Sequence, residues 1–91
     1  MYVVVSYDIR DDKRRNRVHK ALKNFGEWIQ FSVFECDLGR EQVLRLQHAL
    51  KRIIKEEDHD SVRFYFLCDG CRGKIERVGG IIPRDEGPVV V

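Results

Sequence analysis

One carboxylate followed by a crowd of cations opens the chain. Asp8 closes an apolar run from Tyr2 to Tyr7, and Arg10, Lys13, Arg14, Arg15 and Arg17 come directly after it. A carboxylate can hold a hard cation, and guanidinium groups grip phosphate in a bidentate fork. Together they form the layout that phosphodiester chemistry needs, where a divalent ion polarises the ester and activates water. A plainer reading stands beside it: Asp8 as a turn residue and the basic run as a solvated helix face.

The elements that would position these residues follow from pattern. Val3 to Val5 are β-branched and free of proline, so residues 2 to 9 read as a buried strand. Residues 11 to 25 read as a helix, capped by Asp11 or Asp12. Val18, Ala21, Leu22 and Phe25 recur at helical spacing and make its core face, with Lys13, Arg17 and Lys20 on another face. Gly26 is expected to stop it as a left-handed cap. Asp8 then sits where a strand hands over to a helix, a common place for chemistry.

The run WIQFSVFECDL, residues 28 to 38, is the second β region. It reads either as one long strand or as two short ones bent near Gln30 to Ser32. A second helix covers about 40 to 57, with Val43, Leu46, Leu50, Ile53 and Ile54 on one face. The acidic stretch 56 to 60 turns the chain into a strand from Ser61 to Cys68. Asp69 and Gly70 predict a turn, and residues 74 to 82 a short edge strand interrupted by Gly79 and Gly80. A linker, 83 to 88, leads to Val89, Val90 and Val91, expected to pair with a sheet edge in a second copy. Two amphipathic helices on one face of a mainly antiparallel sheet make an α+β, ferredoxin-like β-α-β-β-α-β sandwich with an extra C-terminal strand. That fold hosts many functions.

Composition bounds the rest. A chain of 91 residues is one domain, 1–91, with a small core that gains from a partner surface. At 43% hydrophobic and 35% charged it is globular rather than disordered. Net charge is only +2, so a local basic stripe, not a basic coat, is what would meet a polyanion. No stretch is long enough to span a bilayer, and Met1 leads straight into a strand, so neither a membrane span nor a signal peptide is expected. Three cysteines without a secretory signal point to the reducing cytoplasm.

The segment YDIRDDKRRNRVHKALKNFG followed by IQFSVFECDL resembles the small CRISPR-associated nuclease of the adaptation module, the Cas-two family. The motif pair YDI…RRxRV…L…G and QxSVFE carries the resemblance, and the strand RFYFL and the apolar tail are similar too. The resemblance implies a symmetric homodimer of ferredoxin-like subunits. It makes Asp8 the catalytic, metal-binding residue, with magnesium between the two copies. It places Arg15, Arg17 and Phe34 at positions tied to activity. Tyr7 precedes the aspartate as in the family, and Tyr7, Lys13, Arg14, Arg17 and Lys20 are expected to meet nucleic acid. Trp28 departs from the pattern, since many members carry arginine there. The implied activities are cutting of single-stranded RNA or double-stranded DNA, and capture of new spacers with the Cas-one integrase. A dimeric scaffold that binds DNA without cutting it is the alternative.

Other signals carry less. Cys68 and Cys71 form a C-x-x-C, but zinc needs four ligands, and Cys36 plus a histidine would have to converge on it. Free thiols are the simpler expectation. His19 is expected on the surface or facing phosphate. Phe31, Phe34, Phe64, Tyr65 and Phe66 lack the glycine-flanked signature of an RNA-recognition sheet, so most are expected in the core or a dimer interface.

Overall fold

Strand β1 (Tyr2–Asp8) is one of the two inner strands of the sheet, paired on both edges and supplying Val3, Val5 and Tyr7 to the core. The computed structural model describes residues 1–81. After β1 come α1 (Asp12–Lys23), β2 (Glu27–Gln30), β3 (Val33–Asp37), α2 (Arg40–Ile53), β4 (Ser61–Leu67) and a single helical turn, α3 (Asp69–Arg72). The sheet runs β2-β3-β1-β4 and every pair in it is antiparallel. This is the expected ferredoxin-like order, with α1 and α2 packed on one face.

Alternation along β1 sorts its side chains. Val3, Val5 and Tyr7 point into the core, where they meet Val18 and Leu22 of α1 and Val43, Leu46 and Leu50 of α2. Val4, Ser6 and Asp8 therefore point to the opposite, outer face. Asp11 caps α1 by accepting from the Arg14 backbone N–H at 2.9 Å. Asp12 in the first turn, with Lys20 and Lys23 in the last, complements the helix dipole. Gly39 donates its N–H to Gln42 Oε1 at 2.8 Å, which satisfies one free donor at the start of α2.

The 28 to 38 run takes the second of its two expected forms, two strands joined by a two-residue turn at Phe31 and Ser32. Ser32 adopts a left-handed φ of 64°, which reverses the chain so that Trp28 lies opposite Phe34. Gly26 is not a left-handed cap. It is a place of close approach, where an added Cβ would meet Glu35 O at 2.6 Å and collide with Cys36 Sγ. Helix α2 ends at Ile53; Ile54 is extended, and a 3-10 turn, Glu56–Asp58, leads to left-handed His59. Asp69 and Gly70 begin α3 rather than a simple turn.

Residues 74 to 81 form no strand. Gly79 and Gly80 take φ of 68° and 80°, which a strand cannot use. The segment instead lines a hollow over β2 and β3 on the outer face. It is pinned there by Arg77, which donates two hydrogen bonds, of 2.8 and 2.6 Å, to Glu35. Tyr2 donates its hydroxyl to the same carboxylate, and Arg72 lies 4.1 Å over the Tyr2 ring. Burial pushes Glu35 up, but the bonds from Arg77 and Tyr2 outweigh it and hold the group below its ordinary value. The expected C-terminal strand and its linker, 83–91, lie outside the described residues.

Gly26→Ala has no room for its methyl group without moving the β3 backbone. It is expected to cost about 1–3 kcal/mol, the range for overpacking, measured by urea denaturation of the purified protein. An unchanged midpoint would contradict the close approach.

Candidate active site

The end of β1 carries two different sites, because consecutive residues face opposite sides of the sheet. Asp8 is exposed on the outer face and pairs in register with Ser61 of β4. Ser6 pairs with Arg63, so Arg63 is diagonal to Asp8 on the same face. With Tyr65 these residues line an open cleft of about 230 Å³. Arg63 was not among the cations read from sequence. Its signal was the alternation of Ser61, Arg63 and Tyr65 in SVRFYFL, which needs the β1–β4 register to be useful.

The cations of α1 divide by function. Lys13, Arg17 and Lys20 are exposed and available to phosphate. Arg15 is half-buried, donating to Ile9 O at 3.2 Å and pairing with Asp12. Arg14, expected to meet nucleic acid, is engaged within the fold. It donates Nε to Asp60 Oδ2 at 2.8 Å and also lies 3.1 Å from Asp58, and only 13% of its side chain is exposed. Its charge is committed within the fold.

Asp60 is the organising partner. Its buried carboxylate accepts from Arg14, from the Arg10 N–H at 3.0 Å and from the Lys55 N–H at 3.0 Å. It thus ties the β1–α1 loop, helix α1 and the chain after α2 to the residue before Ser61. The Arg14 bond, set against burial and helped by the two N–H groups, holds Asp60 far below the usual carboxylate range.

Phe34 lies inside the core. Its ring is fully buried and touches no solvent. It packs against Tyr7 and, edge-on at 5.1 Å, against His19. Any influence on activity runs through packing, not substrate contact. Tyr7 is 6% exposed, and its hydroxyl meets His19 Nδ1 at 3.1 Å. Burial raises Tyr7 above its ordinary value against the pull of Arg15. Burial, then the Lys23 charge, lowers His19, so the imidazole favours its neutral form. His19 is therefore part of the wall behind the core rather than a free phosphate contact.

Among the described residues no three His, Cys, Asp or Glu side chains gather as a metal cluster. Cys36 is buried, and burial pushes its thiol up to about 11, while Cys68 and Cys71 are exposed. The three thiols do not converge. Asp8 remains as a single open carboxylate beside a strand end. A hard divalent cation held there would need a second carboxylate or phosphate oxygens besides its waters.

Sheet order and helix placement define a ferredoxin-like α+β protein. The family pattern of CRISPR associated protein Cas2 matches residues 1–75. A protein of Methanospirillum hungatei called "CRISPR-associated endoribonuclease Cas2 2" is 42% identical over 89 residues, covering 98% of this chain and 97% of that one. The crystal structure of Streptococcus pyogenes Cas2 superposes with a TM-score of 0.72 at 33% identity, covering 87% of this chain and 100% of that one. A hypothetical protein from Thermus thermophilus superposes at 0.78 with 35% identity, over 90% and 95% of the two chains. The chain belongs to the Cas2 family.

The Asp60 clasp predicts a pH dependence. A carboxylate held below its unfolded value adds stability above about pH 4, and that stability is lost as pH falls further. Asp60→Asn is expected to cost about 3 kcal/mol at neutral pH, the order seen when one partner of a buried pair is removed. It should also flatten the acid limb of a stability-versus-pH curve. A variant with an unaltered acid limb would contradict the assignment.

Proposed function

We propose that the chain is a magnesium-dependent endonuclease of CRISPR adaptation, active as a homodimer on phosphodiester bonds of RNA or DNA. The observation that carries the reading is the exposed Asp8 carboxylate at the end of the central strand, in a cleft with Arg63. The endoribonuclease names of its relatives agree with it. One carboxylate is a poor metal site alone. A two-fold axis through the outer face would bring a second Asp8, so dimerisation and metal binding become one problem.

The open surface supports a dimer. Tyr65 is 47% exposed on the outer face, and β4 is an edge strand with an unpaired side among the described residues. The tail Val89–Val91 supplies residues able to cover such an edge. No helix among the described residues is long and apolar enough to cross a membrane. The reading places the protein in the cytoplasm, beside the Cas-one integrase during spacer capture.

In this reading Asp8 of each copy would hold the ion. Magnesium, when bound, supplies Lewis-acid polarisation of the scissile phosphate and an activated water. Arg63 sits where it can offset charge that develops on the phosphate oxygens. Lys13, Arg17 and Lys20 grip the flanking backbone and set its register. Arg15 holds the β1–α1 loop through Ile9 O and so positions Asp8. Tyr7 and Phe34 back the strand end from inside.

Asp8→Asn keeps the size and exposure of the side chain and removes its charge. It is expected to reduce magnesium-dependent cleavage at least a hundredfold, with the fold and salt-sensitive nucleic-acid binding retained. The assay compares wild type and variant on labelled RNA and DNA, with magnesium and with EDTA. Equal cleavage by both proteins would overturn the reading. Spacer capture surviving in the variant would instead assign the protein as a scaffold.

A further inference from the structure

On the helix side of the same strand end lies a second cleft, of about 420 Å³. That size falls within the range of small-molecule sites, roughly 300–1,000 Å³. Tyr7 and His19 line it, Trp28 and Phe31 wall it, and Arg15 and Lys23 add positive charge. Trp28 is 43% exposed, and Phe31, at the tip of the β2–β3 turn, is 84% exposed. His19 stands edge-on to Trp28 with ring centroids 6.5 Å apart.

Two large rings left open at one cleft need a reason, because a protein gains nothing by wetting them. Their positions are fixed. Tyr7 donates its backbone N–H to Ser32 O at 3.1 Å, which docks the turn, and so Phe31, onto the end of β1. The left-handed Ser32 keeps that turn tight. Concave aromatic walls with cations at the lip match a flat ring bearing a phosphate. A protein partner would be better served by a broad flat patch.

We propose that the cleft between Trp28 and Phe31 takes an unpaired nucleobase of a single-stranded nucleic acid, with Lys23 and Arg15 near its phosphate. The base stacks on an aromatic face, and the neutral His19 offers a polar edge at the floor. Tyr7 and Asp8 are adjacent in β1, so the two clefts lie on opposite faces of one strand end. A paired base is enclosed in its duplex and cannot enter. The proposal rests on the nuclease reading only for its choice of polymer, and it names which strand state that site prefers.

Trp28 is the only tryptophan of the chain, so its emission reports the cleft directly. The probe is an unstructured RNA of about 12 nucleotides, a length within the span of single-strand sites. It is titrated into the full-length protein in EDTA, alone and annealed to its complement, with anisotropy of a labelled copy reporting binding separately. The single strand is expected to quench Trp28 in step with binding, and the duplex to leave emission unchanged. Phe31→Ala, at an exposed turn position, should fold normally and weaken single-strand binding about tenfold while sparing the duplex. Binding without quenching, equal quenching by the duplex, no binding at all, or an unaffected Phe31→Ala variant would each overturn the proposal. Quenching of a wild-type protein that cleaves neither RNA nor DNA in magnesium would sink the nuclease reading and leave this one standing.

Discussion

A single buried carboxylate holds together the end of the sheet on which everything else depends. Asp60 receives donors from Arg10, Arg14 and Lys55, and so draws the β1–α1 loop, helix α1 and the chain after α2 to one point. Removing a charge of this kind leaves several part-buried donors without their acceptor. The next residue, Ser61, opens β4 and lies opposite Asp8. The clasp therefore fixes the place where the candidate chemistry sits, without touching a substrate itself. It also explains why Arg14 differs from Arg17: two neighbours in a basic run have opposite duties, one structural and one facing solvent.

From that fixed end, strand geometry does the remaining work. The period-two alternation of β1 sends Tyr7 inward and Asp8 outward. One face gains a carboxylate beside Arg63 in a small open cleft. The other gains a larger cleft with aromatic walls. The hydrogen bond from Tyr7 N to Ser32 O carries the same order into the β2–β3 turn. The two clefts therefore open on opposite faces of one strand end.

Much of the fold was legible because its signals are local. The apolar run of β1, the helical spacing of Val18, Leu22, Val43, Leu46 and Leu50, and the alternation of β4 each speak within a few residues. The elements fall within a few residues of their expected bounds. The misses are nonlocal or depend on backbone sign. Nothing near Gly26 in sequence announces that Cys36 and Glu35 will press against it. Residues 74 to 81 look like a strand by composition, yet the φ values of Gly79 and Gly80 and the pull of Glu35 on Arg77 give a different path. The exposure of Asp8, Lys13, Arg17 and Lys20 was readable from type and position. The surroundings of Arg14 and Phe34 were not, because pairing with Asp60 and burial behind Tyr7 come from segments distant along the chain. Arg63 was hidden until the β1–β4 register placed it near Asp8.

The central claim is that a divalent ion meets the protein at the Asp8 end of β1. Manganese can stand in for magnesium, and its unpaired electrons broaden nearby amide resonances in an NMR spectrum of the labelled protein. Selective broadening at Ser6 to Asp8 and at Ser61 to Arg63 is the predicted result. Broadening confined to the acidic turn at Glu56 to Asp58, with the strand end untouched, would contradict the account.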